Sequence, residues 1–141
     1  MENIILRKQY LDKIRPFYDS KYIKAITGIR RCGKSELIKQ IVEEIKNSGI
    51  DENHIIVLNL EGRSGEGITT RLKLEKKLDS LITDKEKYYI FIDEVQHIKK
   101  FEEAIASVRI SYNCSLFVTG SNSRLLHGKL QDRLTGRAKE F

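Results

Sequence analysis

At 141 residues, 40% hydrophobic and 33% charged, the chain can bury one core and is too apolar to be intrinsically disordered. One proline, nine glycines and two cysteines exclude a collagen-like or disulfide-stapled chain. The longest apolar runs, Ile55–Leu58 and Tyr88–Ile92, fall far short of the roughly 20 residues a membrane span needs, and residues 1–7 lack the pattern of a signal peptide. Cys32 and Cys114 have no metal-like or paired spacing, so they read as free thiols and the expected location is the cytoplasm. The net charge of +6 is uneven. Residues 1–40 carry ten basic and four acidic side chains, residues 41–120 eleven and fourteen, and residues 121–141 five and two. A nucleic-acid surface is one reading of these basic ends, but a solvated face beside a nucleotide pocket explains them as well and is favoured.

Helical and strand-type patterns alternate along the chain, with no repeat or low-complexity linker between them. Leu11, Ile14 and Tyr18 share one face of a helix expected over residues 8–19, with Pro16 as its kink or end. A short strand is expected over Tyr22–Thr27. The next helix, over residues 34–47, places Leu37, Ile38, Ile41, Val42 and Ile45 together and closes at Asn47-Ser48-Gly49. A buried strand at Ile55–Leu60 leads into a Gly-rich loop from Gly62 to Gly67, then a helix with Leu74, Leu78 and Leu81 in register. Tyr88–Asp93 reads as a second fully buried strand. Phe101, Ile105 and Val108 mark a helix, Ser115–Thr119 a strand, and Leu126, Leu130 and Leu134 a last helix. This alternation predicts an α/β fold, a mainly parallel sheet covered on both faces, as one domain over residues 1–141.

The strongest chemical signal lies between the first strand and the following helix. Gly28-Ile29-Arg30-Arg31-Cys32-Gly33-Lys34-Ser35, followed by Glu36, fits G-x-x-x-x-G-K-[ST] in full. Its glycines let backbone N–H groups wrap a polyphosphate, and the positive end of the helix faces the same anion. Lys34 would reach the β- and γ-phosphates, and the Ser35 hydroxyl would ligate Mg²⁺. A second constellation ends the strand Tyr88–Asp93 with two carboxylates, at the strand end where parallel α/β sheets bind ligands. Asp93 suits the metal, and Glu94 suits a general base for an attacking water. The pair could also be an acidic turn capping a strand, but its place downstream of the Gly-rich segment favours chemistry.

Thr119, Ser121 and Asn122 close the next strand with small polar groups able to reach a γ-phosphate or its attacking water, and chemistry alone does not choose among them. Arg133 and Arg137 are cations that could serve the γ-phosphate, although most arginines are simply solvated. Arg30 and Arg31 lie within the Gly-rich segment itself. His54, His97 and His127 show no metal spacing and read as structural or surface residues.

Three ordered motifs carry a resemblance. Ile26–Ser35, Phe91-Ile92-Asp93-Glu94-Val95-Gln96 and Phe117–Ser123, with the closing Leu134-Thr135-Gly136-Arg137, resemble the archaeal-type AAA ATPases. These AAA+-related P-loop proteins of bacteria and archaea usually carry a C-terminal domain of unknown function. The resemblance spans essentially the whole chain and implies a P-loop NTPase three-layer sandwich with the AAA-like (ASCE) strand order. It implies ATP and Mg²⁺ as ligands. Lys34 and Ser35 correspond to the family's Walker A residues, Asp93 and Glu94 to its Walker B pair, Ser121 to its polar sensor and Arg137 to its closing arginine.

The implied strand order sets the Walker A strand between the sensor strand and a final strand starting near Ala138–Phe141. That final strand is expected to be missing here, which would leave the Walker A strand at a sheet edge unless a C-terminal domain or partner protein completed it. The expected function is Mg²⁺-dependent ATP hydrolysis. The alternatives are a nucleotide-binding module without turnover and an ATP-switched nucleic-acid-binding protein. Arginines near a shared phosphate are compatible with oligomeric assembly.

Overall fold

A computed structural model of the protein describes residues 2–26, 32–120 and 138–141. Five parallel strands alternate with four α-helices in the order α1 (Glu2–Ile14), β1 (Ile23–Ile26), α2 (Cys32–Asn47), β2 (Ile55–Asn59), α3 (Arg71–Leu81), β3 (Tyr88–Asp93), α4 (Phe101–Ser111), β4 (Cys114–Thr119) and β5 (Ala138–Glu140). The strands form one sheet in the order β2-β3-β4-β1-β5, and all four ladders are parallel. The last expected helix, around Leu126, Leu130 and Leu134, lies outside the described residues.

Successive side chains of a strand point to opposite faces, and β3 shows what that requires here. Tyr88, Ile90 and Ile92 pack with α3 and α4, whereas Tyr89 and Phe91 pack with α1 and α2. All six residues of β3 are buried, so the first five, Tyr88–Ile92, are apolar without alternation and only the terminal Asp93 is charged. On the α1/α2 face, the rings of Phe91 and Phe117 stack with centroids 4.4 Å apart.

The helix expected over residues 8–19 spans Glu2–Ile14 instead, and Pro16, whose ring cannot continue an α-helix, lies just past its end. The chain passes at Arg15–Phe17 into a single 3-10 turn. The Arg15 guanidinium then donates to both carboxylate oxygens of Glu44 at 2.9 and 2.8 Å, fixing the end of α1 to α2. At the far end of β2, Gly62 N–H donates to Asn59 O at 2.9 Å, and a Cβ on Gly65 would sit 2.6 Å from that same carbonyl. This close approach is why the loop needs glycine there. Leu74 and Leu78 are fully buried, but Leu81 is 38% exposed. At the end of α3 it is Ile82 that turns back onto the core.

The expectation of a missing final strand is corrected. Ala138–Glu140 pairs with β1 in the register Ile23↔Ala138, Lys24↔Lys139 and Ala25↔Glu140, and Phe141 N–H donates to Ala25 O at 2.8 Å. β1 is therefore an interior strand. The three residues suffice because Phe141 gains a foothold beside them, packing on the α1/α2 core and against the Phe17 ring at 5.3 Å.

One feature of β1 runs against the rule that interior strands are apolar. Lys24 is fully buried. Its Nζ donates to Ser115 Oγ at 2.6 Å and to Ser20 O at 3.0 Å, and it lies 4.7 Å from the centre of the Phe117 ring. The Ser115 hydroxyl in turn donates to Tyr18 O. Burial, reinforced by the neighbouring charge of Lys87, pulls the Lys24 ammonium down to about 7. In the unfolded chain the same group holds its proton to about pH 10.4. Between those values the unfolded state binds more protons, so stability rises with pH. The expected outcome is a urea midpoint that climbs from pH 6.5 to 8.5, with a slope of up to about 1.4 kcal/mol per pH unit. Lys24→Met should lose this component, and parallel pH profiles for parent and variant would refute it.

Candidate functional site

The carboxyl ends of β3 and β4 bring three polar side chains into the core margin. Asp93 ends β3, Glu94 follows it and Thr119 ends β4; they are 8%, 5% and 1% exposed. Buried carboxylates are costly unless hydrogen-bonded, and Thr119 meets part of that need. Its hydroxyl donates to Asp93 Oδ1 and accepts from Glu94 N–H at 3.0 Å. One hydroxyl thus uses its donor on the first carboxylate and an acceptor lone pair on the backbone of the second.

Glu94 has φ 61 and ψ 52, a left-handed conformation that costs a non-glycine residue roughly 1–2 kcal/mol. It breaks the strand at the acidic pair and starts the 3-10 turn Val95–His97. Gln96 curls back in that turn, so that its Nε2 donates to Glu94 Oε2 at 2.5 Å. At the outer rim, His97 Nε2 lies 3.2 Å from Glu61 Oε1, and both side chains are exposed.

β1 reaches the same end of the sheet. Its last residue, Ile26, is level with Thr119, and α2 starts at Cys32. The segment with the phosphate-loop pattern therefore joins these two points. Of its predicted ligands, Gly28, Ile29, Arg30 and Arg31 lie outside the described residues. Cys32, Gly33, Lys34 and Ser35 form the first turn of α2. Glu36 follows them with its carboxylate 3.7 Å from Lys39 Nζ, one turn on along α2. Ser121, Asn122, Arg133 and Arg137 lie outside the described residues.

Asp93 and Glu94 stand side by side, both buried, where β3 ends. Thr119, the one of the three small polar candidates that lies within the described residues, hydrogen-bonds to both. Gln96 carried no role in the sequence reading. The signal that could have found it is its spacing two residues after Glu94, within reach across one tight turn.

For a divalent cation, the donor chemistry is that of hard oxygen. Among the described residues no group of three or more His, Cys, Asp or Glu side chains converges. A single buried Asp fits Mg²⁺, which keeps several waters and relies on one or two protein oxygens plus phosphate. The described residues also include no helix long and apolar enough to cross a membrane.

A mainly parallel five-stranded sheet between helical layers, with an acidic pair at the strand ends beside a phosphate-loop sequence, defines a P-loop type of α/β protein. The family model for the AAA domain matches residues 20–141. The chain belongs to this AAA-domain family, which supports nucleotide binding in general. It is 33% identical over 139 residues to an uncharacterized protein of Haemophilus influenzae, covering 98% of this chain and 35% of that protein. It is 28% identical over 115 residues to an uncharacterized protein of Methanocaldococcus jannaschii, covering 82% of this chain and 24% of that one. The chain thus spans about a third and a quarter of the length of these relatives.

Similar folds occur in the structure of Drosophila ORC bound to AT-rich DNA and Cdc6, with a TM-score of 0.62, 10% identity and coverage of 99% of this chain and 55% of that one. A DNA polymerase III gamma subunit-related protein of Thermotoga maritima gives a TM-score of 0.60 at 12% identity, with 93% and 44% covered. RIF2 of Saccharomyces cerevisiae gives 0.56 at 14% identity, with 96% and 53% covered.

Replacing Thr119 by Val keeps its shape but removes the hydroxyl that serves Asp93 and the Glu94 amide. Leaving those groups buried and unserved should lower stability by about 1–3 kcal/mol, while Thr119→Ser should retain most of it. Urea denaturation of the two variants checks this; equal losses in both would mean that the methyl group, not the hydroxyl, matters.

Proposed function

We propose that this chain binds Mg²⁺–ATP and hydrolyses it. The observation that carries the reading is the buried pair Asp93 and Glu94, braced by Thr119 at the end of the strand next to the one that leads into Gly28–Ser35. In this reading the backbone of Gly28, Ile29, Arg30, Arg31, Cys32 and Gly33, together with the start of α2 through Glu36, cradles the phosphates, and Lys34 contacts the β- and γ-phosphates. Ser35 and Asp93 would hold Mg²⁺, which when bound neutralises charge on the phosphate oxygens.

Glu94 accepts a proton from water as the water oxygen attacks the γ-phosphorus. The bond from that phosphorus to the bridging oxygen of ADP breaks, and the proton passes on to the phosphate released. The products are ADP and inorganic phosphate, with no redox change. Ser121 and Arg137 are assigned to the γ-phosphate side by resemblance, as sensor and stabilising cation. The choice of adenine likewise rests on the resemblance.

Thermal unfolding with and without Mg²⁺–ATP tests binding. Ligand at a hundred times its Kd adds about 2.7 kcal/mol, which should raise the midpoint by several degrees, and Lys34→Ala should abolish the shift. Glu94→Gln should keep binding while lowering turnover by about 10²–10⁴-fold. A well-folded parent with no shift refutes the nucleotide site. A shift without turnover in the parent leaves a binding module in place of an ATPase.

A further inference from the structure

The Glu94 carboxylate has a neighbour that the mechanism above does not use. The left-handed Glu94 and the turn after it, closed by His97 N–H to Glu94 O at 3.2 Å and Ile98 N–H to Val95 O at 3.1 Å, fold Gln96 back onto the residue two before it. A carboxylate only accepts hydrogen bonds, so the amide must turn its Nε2 toward Glu94, where it lies 2.5 Å from Oε2. The other end of the same amide is then committed. Gln96 Oε1 is buried and has no hydrogen-bond partner among the described residues.

A buried acceptor left without a partner is unfavourable, and ordered water is what usually satisfies such a group. Oε1 and Nε2 belong to one planar amide. A water donating to Oε1 would therefore be held by the same rigid group that holds the carboxylate through Nε2.

We propose that Gln96 is the positioning residue for Glu94: Nε2 fixes the carboxylate, and Oε1 accepts a hydrogen bond from the water that Glu94 deprotonates. This rests on the hydrolytic reading above. The amide takes no proton and forms no bond to phosphorus. It restricts the carboxylate and the water to one mutual orientation, the term through which small misplacements of reacting groups cost about 10²-fold in rate.

The test measures Mg²⁺–ATP turnover against pH, together with nucleotide Kd and thermal midpoint, for the parent chain, Glu94→Gln, Gln96→Leu and Gln96→Glu. Gln96→Leu removes both ends of the amide and should lower kcat by about 10²-fold while Kd stays within about twofold, since phosphate binding lies elsewhere. Gln96→Glu keeps the shape but sets a second carboxylate against Glu94. Two carboxylates at that separation share a proton, so its pH–rate profile should change form relative to the parent, with activity falling as pH rises. A residue that only shaped the turn would change the thermal midpoint and leave the profile alone.

Gln96→Leu with parental kcat, or with faster turnover, overturns the proposal; the second result would mean the amide restrains Glu94 instead of aiming it. If Gln96→Leu does not fold, the profile of Gln96→Glu decides by itself, and an unchanged profile overturns the proposal. Loss of turnover in Glu94→Gln with none in the Gln96 variants overturns this inference alone. A parent chain with no turnover above Glu94→Gln overturns the hydrolytic reading and this inference with it.

Discussion

Everything at the candidate site depends on β3 being paired on both sides and covered on both faces. A strand enclosed in this way has no solvent-facing side on which to carry a charge, so the first place it can present carboxylates is where it runs out. Asp93 and Glu94 stand at that point and are still almost wholly buried. Two acidic groups held out of water are tolerated only with partners in good geometry. The protein supplies them from neighbouring elements: the Thr119 hydroxyl from β4 and the Gln96 amide from the turn that follows. The left-handed Glu94 belongs to the same arrangement, since the chain must leave the strand abruptly for Gln96 to face back.

The opposite end of the sheet is closed by a different chemistry. Lys24, Ser115 and the carbonyls of Tyr18 and Ser20 form a buried chain of hydrogen bonds that joins β1 and β4 to the turn after α1. Next to it, Asp19 accepts from the Tyr89 hydroxyl and from Lys87 at 3.4 Å, and the hydroxyl and ammonium hold its carboxyl below the usual range. A neutral amine can still donate both of the Lys24 hydrogen bonds. That is why burying this lysine is tolerable where burying a permanent cation would not be.

The strands and helices were legible from sequence because full burial leaves a one-letter record. Tyr88–Ile92 is apolar without a break, and the periodic leucines and isoleucines of α2 and α3 name their own faces. The misreadings have local causes. Leu81 fits the helical period, yet α3 ends there and Ile82 takes the core position. Ala138–Glu140 carries two charged residues out of three, so composition did not mark it as a strand; the resemblance alone placed a final strand near it, and the strand is present where it was expected to be missing. Lys24 carries no mark of burial in the sequence, because its hydrogen-bond partners are one backbone carbonyl and a serine far along the chain. The acidic pair was legible from its position after an apolar strand. The hydrogen bonds of Thr119 to Asp93 and Glu94 were not, because bracing them is a relation between strands with no trace in the spacing of either.

Register explains the place of Thr119 at the site. β5 pairs with Ile23 to Ala25, so it steadies the first three residues of β1. The last residue, Ile26, is level with Thr119 on the other side. Among the described residues that rung is the last one before the glycine-containing segment that leads to α2. Thr119 therefore belongs at once to the ladder that fixes where this segment starts and to the hydrogen bonds that fix Asp93 and Glu94. In a parallel sheet a slip of one residue turns every side chain to the other face. A slip of β1 against β4 would thus displace the start of the segment relative to the acidic pair and also bury the wrong side chains on both faces. The core packing that stabilises the sheet is, by this route, what keeps the two halves of the proposed site in register.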